Sequence, residues 1–195
     1  MTQTHSTSNQ KTELLDFSNQ SYINALLNSS KAKPLKWESD PKYSASHSSN
    51  NSTVITYSFP NLNGDNSKYS YTDALGVEII LTPLTQTQAA DIKLAMQSVS
   101  NFLNITFTQV ADDLTEVGTI RIGIKTITDS LGQYKENVHG IGNAPSAQTS
   151  GGDIFFNDSL INANFSSGAI TDSQTTIGDI SVFYHQLFHA LGIEH

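Results

Sequence analysis

The chain has 195 residues, no cysteine, 18 acidic against 10 basic side chains, and a formal net charge of −8. That length suffices for one well-cored domain plus a tail. The charge argues against a nucleic-acid partner, which wants clustered Lys and Arg. The missing cysteines exclude disulfides and thiolate metal sites, and no basic amphipathic stretch suggests a membrane surface.

Any metal site must therefore use His, Asp or Glu. Met1 to Phe17 is polar, with no apolar run of the kind a cleavable signal peptide or a membrane span requires. Residues 1–50 read as a disordered or propeptide-like lead. Within it, Tyr22, Ile23, Ala25, Leu26 and Leu27 suggest a short helix, and a serine-rich run from Ser44 to Ser52 suggests an exposed loop. From residue 51 the pattern becomes that of a folded domain. Val54 to Phe59 is β-rich and stops at Pro60, as a first strand would. Gly76 to Leu81 reads as a short extended segment.

Thr85 to Leu103 has the spacing of an amphipathic helix. Thr85 and Gln88 fit a capping box, and Ile92, Ala95, Met96, Val99, Phe102 and Leu103 recur at helical period. Ile105 to Val110 and Thr119 to Ile127 alternate apolar and polar residues, which predicts two half-buried strands. Thr128 to Gly152 is long and glycine-rich, and loops of that length in a compact domain are usually functional or mobile. Asp153 to Asn157 predicts a short strand, and Thr175 to Leu191 a second long helix. Ile177, Ile180, Phe183, Tyr184, Leu187 and Leu191 form its core face.

The chain closes on His185-Gln186-Leu187-Phe188-His189-Ala190-Leu191-Gly192-Ile193-Glu194-His195, which is H-x-x-x-H-x-x-G-x-x-H. His185 and His189 stand four apart on a helix, so both imidazoles share one face and can share one metal ion. Gly192 falls where a left-handed residue stops a helix. The chain can then turn and return His195 as a third ligand. Three neutral imidazoles suit zinc and leave a position for water. Two incidental surface histidines would account for the first half of the pattern but not for Gly192 and His195.

At these residues the sequence resembles the metzincin zinc peptidases, whose signature is H-E-x-x-H-x-x-G-x-x-H. It looks most like the serralysin-type bacterial proteases. Tyr22 to Leu27, Ile55 to Phe59, Asn104 to Phe107 and Gly151 to Asn157 extend the likeness over residues 20–195. The resemblance implies an α+β fold, with a twisted mixed sheet and two long helices, the second carrying the zinc ligands. It implies a metalloendopeptidase with zinc held by His185, His189 and His195, and Gly192 as the structural turn. The strand holding Ile154, Phe155 and Phe156 would be the edge that pairs with an extended peptide. The implied partners are a peptide or protein substrate and a protein inhibitor, and the implied location is extracellular. Full-length relatives also use Ca²⁺, for which no site is identified here.

Two departures stand out. The family's Glu after the first ligand, which takes a proton from the attacking water and passes it to the leaving amine, is Gln186 here. The sequence also stops at His195, where the family continues through a methionine-containing turn into a C-terminal subdomain. An inactive peptidase domain is therefore one expectation, and a zinc- and peptide-binding relative without catalysis the other. Phe188, where many relatives have Gly, reads as packing. His139 reads as a solvated loop histidine, and Asp112, Asp113 and Glu116 as an exposed acidic turn. Asp153 and Asp158 read as turn residues. His5 and His47 carry no message.

Overall fold

The computed structural model describes residues 12–14, 35–37, 53–60, 71–72, 78–129, 131–135, 137–146, 150–158 and 180–193. The short helix expected at Tyr22 to Leu27, the start of the second long helix, and His195 lie outside the described residues. Within the lead, β1 (Thr12–Leu14) pairs antiparallel with β2 (Leu35–Trp37), so part of that segment is paired. β4 (Tyr71–Thr72) and β5 (Glu78–Ile79) form a second small antiparallel pair.

The fold is α+β, built on a mixed five-stranded sheet and two helices. β3 (Thr53–Ser58), β6 (Ile105–Gln109), β7 (Ile120–Lys125), β8 (Gly140–Gly142) and β9 (Ile154–Asn157) lie in the order β6-β3-β7-β9-β8. The first four are mutually parallel, and β8 runs antiparallel to β9. β3 and β7 pair only at Tyr57↔Ile120 and Ser58↔Arg121. Beyond the end of β3, Thr82 takes its place through an antiparallel bridge to Ile124.

Helix α1 (Gln86–Phe102) begins as its sequence predicts, with the Thr85 hydroxyl accepting from Gln88 N–H and the Gln88 side chain accepting from Thr85 N–H. Each such cap is worth about 1 kcal/mol. Ile92, Ala95, Met96 and Val99 are buried. Phe102, expected on the same face, is 88% exposed. It sits on the final helical residue, where the chain is already turning into β6 and no longer faces the sheet.

Strand alternation fixes which face the helices cover. Ile55 and Tyr57, then Ile120, Ile122 and Ile124, then Ile154 and Phe156 point to one side, where they meet α1 and helix α2 (Ile180–Ala190) in one core cluster. Phe183 and Leu187 of α2 are fully buried there, each contributing about 1.5–3 kcal/mol of apolar burial. The other face is polar and unusual. Arg121, the only arginine in the chain, is 0% exposed and donates from Nε to Asp112 Oδ2 at 2.7 Å and from Nη2 to Asp112 Oδ1 at 2.9 Å. Ser58 Oγ also donates to Asp112 Oδ2, at 2.9 Å.

The acidic turn is thus only half as expected. Asp113 is half-buried as a residue, and the hydroxyl and N–H of Thr115, with Glu116 N–H, hold its carboxyl below the usual range. Asp112, one residue earlier, is a buried partner of Arg121. Asp153 is buried too, its Oδ1 accepting from Arg121 N–H at 2.8 Å. On the same face, the Lys125 ammonium lies 4.0 Å from the centre of the Phe155 ring, and burial holds its pKa below the usual lysine value despite the opposing pull of Asp153.

Candidate metal centre

Helix α2 ends in a turn whose hydrogen bonds explain the sequence that follows it. Gly192 has φ 92°, a left-handed conformation that favours glycine. Gly192 N–H donates to His189 O and Ile193 N–H to Phe188 O, both at 2.9 Å. That pair of reversed bonds is a Schellman motif, which satisfies the last helical carbonyls.

The same reversal has a second effect. It swings the Ile193 carbonyl back to 3.0 Å from His189 Nδ1. A carbonyl only accepts, so Nδ1 carries a proton, and in the neutral tautomer of that kind the lone pair stands at Nε2. Metal-binding imidazoles are usually oriented in this way by a partner on the other nitrogen.

His185 Nε2 lies 3.1 Å from His189 Nε2, and the two rings meet edge to face at 87° with centroids 4.7 Å apart. Between zinc–nitrogen bonds of about 2.0–2.1 Å, a 3.1 Å separation corresponds to an angle of roughly 100° at the metal, near tetrahedral. In that tautomer His189 Nε2 can accept from His185 Nε2–H, and a metal ion would take a lone pair from each nitrogen instead. The pair therefore fits a zinc ion as two of its ligands. Among the described residues, no three His, Asp or Glu side chains gather to hold a metal ion.

His185 lines a cleft of about 530 Å³. One wall is Ser181, Val182, His185 and Gln186 of α2, and the other is residues 137–140. Gln186, next to the first ligand, is 8% exposed. It packs against Gly140 and Gly142 of β8 and lines the cleft beside the exposed His185. Phe188, expected to pack inward, is half-exposed, and what it supplies is the carbonyl that closes the helix.

The sheet edge differs from expectation. Ile154, Phe155 and Phe156 do not form it, because β9 has β7 on one side and β8 on the other and is fully buried. Among the described residues the edge on this side is β8, within the long glycine-rich segment. Two of its three residues are glycines and leave no periodic signal. The signal that was there is Gly140-Ile141-Gly142 itself, since paired glycines mark a close backbone approach. A Cβ on Gly142 would overlap the backbone of Gln186. The Gly142→Ala variant is accordingly expected to lose about 1–3 kcal/mol in urea unfolding. An unchanged midpoint would show that α2 lifts off the edge strand without cost.

His139 is exposed as expected, but it belongs to the cleft wall. Among the described residues, no helix is long and apolar enough to cross a membrane. No protein-family model matches the chain, and no curated protein matches it.

Proposed function

We infer that this chain is a zinc-binding metalloendopeptidase domain of the metzincin kind, with Gln186 standing where the general base belongs. The observation that carries this reading is the convergence of His185 Nε2 and His189 Nε2 at 3.1 Å, with the Ile193 carbonyl fixing the tautomer of His189. His195 is the third ligand in this reading. The resemblance that supports it also implies secretion.

Bound zinc would supply a Lewis acid that polarises the scissile carbonyl and acidifies the attacking water. The chain's own residues do the rest. Helix α2 holds two imidazoles on one face, and the Schellman turn keeps one of them in the metal-binding tautomer. β8 has no strand on its outer side among the described residues, so an extended peptide can add to it through main-chain hydrogen bonds. We therefore assign the peptide to Gly140–Gly142 instead of Ile154–Asn157. Gln186 reaches the same cleft, yet a neutral amide cannot take the proton that peptide hydrolysis must move. Gln186 thus also favours a second reading, a relative that captures peptides at its zinc centre without cutting them.

Elemental analysis after dialysis against trace zinc tests the shared core of both readings. The expected result is about one zinc per chain, lost in His185→Ala and in His189→Ala. A chain that keeps no zinc, or variants that keep it, would overturn the assignment.

A further inference from the structure

Asn157, the last residue of β9, is fully buried. Its Nδ2 donates to Lys135 O at 3.0 Å and to Val138 O at 2.8 Å, while its own N–H donates to His139 O at 3.0 Å. One side chain and its backbone thus hold three carbonyls of the segment that leads into the cleft wall. The two carbonyls only accept, which fixes which end of the amide is nitrogen. Its Oδ1 is sealed from solvent without a hydrogen-bond partner among the described residues. A buried orphan oxygen is unfavourable, and a β-branched apolar residue at this strand end would avoid it. What the amide supplies in return is its pair of donors.

We propose that Asn157 is a positioning residue for ligand binding: it pins the wall formed by residues 137–140 so that Asn137 and His139 stand across the cleft from His185 and Gln186. The inference rests on reading that cleft as the peptide site of the metal centre. Asn157 does not touch the ligand; it acts through the backbone carbonyls of Lys135, Val138 and His139. The metal pair lies on α2, which Asn157 does not hold by any of these bonds. Loss of the pin should therefore separate peptide binding from metal binding, whereas loss of fold would abolish both.

The test uses Asn157→Ala and the isosteric Asn157→Asp, whose carboxylate would face two carbonyl oxygens. A double variant of the exposed wall residues, Asn137→Ala with His139→Ala, leaves Asn157 in place. Three quantities are measured on each: amide hydrogen exchange, anisotropy of fluorescein-labelled casein, and retained zinc. In both Asn157 variants, exchange at residues 137–140 should accelerate at least ~tenfold, with the α2 amides unchanged. Casein binding should weaken at least ~tenfold in all three variants, with zinc retained within about twofold. Unchanged exchange in the Asn157 variants overturns the proposal. So does undiminished casein binding in any variant, a parent chain that binds no casein, or a parallel loss of zinc. A parent that binds casein but keeps no zinc defeats the metal reading and leaves Asn157 to be judged by the exchange and casein results.

Discussion

Gln186→Glu, assayed with zinc supplied, should raise casein cleavage by roughly 10² to 10⁴, the usual contribution of a positioned general acid–base. The change is nearly isosteric, and the site is prepared for it. Gln186 follows the first imidazole ligand and lines the same cleft, so a carboxylate there would lie close to where an attacking water must be deprotonated. Burial would raise the carboxyl pKa and a neighbouring metal cation would lower it, which makes its ionisation depend on the metal. The gained activity should accordingly vanish with a chelator and return with zinc. The parent chain and His189→Ala should stay at background. A variant that holds zinc stoichiometrically and still cleaves nothing would sink the peptidase reading and leave the peptide-capturing one standing.

Asp112→Ala should cost about 3–5 kcal/mol in urea or guanidinium unfolding, because it leaves the Arg121 guanidinium buried without its bidentate carboxylate. With side-chain exposures of 0% for Arg121 and 2% for Asp112, water cannot replace the lost partner. Such a loss is a large share of the ~5–15 kcal/mol that holds a typical domain together. The same physics predicts recovery. Removing both charges in Asp112→Ala with Arg121→Met should restore most of the stability, since a buried pair is often no more stabilising than apolar packing of similar volume. The double-mutant cycle would then show strong coupling. A cost for Asp112→Ala below about 1 kcal/mol would mean the pair is solvated in solution.

Helix α1 and its capping box are local facts: hydrophobic period, Thr85 and Gln88 suffice to place the start, and the structure agrees. The strands β3, β6, β7 and β9 are legible from their β-branched and apolar residues, but β7, expected to be half-buried, is buried on both faces from Ile120 to Ile124. The face each strand turns to the helices follows from strand alternation. The imidazole pair is equally local. Residues four apart on a helix are neighbours whatever surrounds them, and Gly192 announces the stop that the Schellman bonds then make.

What the sequence could not place depends on partners far along the chain. Asp112 looks like its less buried neighbour Asp113 until Arg121 of β7, past the intervening turn, is folded onto it. β8 has too few residues and too many glycines to declare itself, and it is a strand because β9 supplies its ladder. That ladder also places β9 inside the sheet and leaves β8 at its edge among the described residues. Asn157 reads as the end of an apolar strand, and only the packed loop shows its amide holding Lys135 and Val138. The sequence by itself therefore determined the helices, the strand faces and the two imidazoles on one turn, all governed by interactions within a few residues. The tertiary structure decided the edge of the sheet, the buried ion pair and the wall facing the imidazoles, because each is a hydrogen-bonding or desolvation balance settled only when distant segments meet.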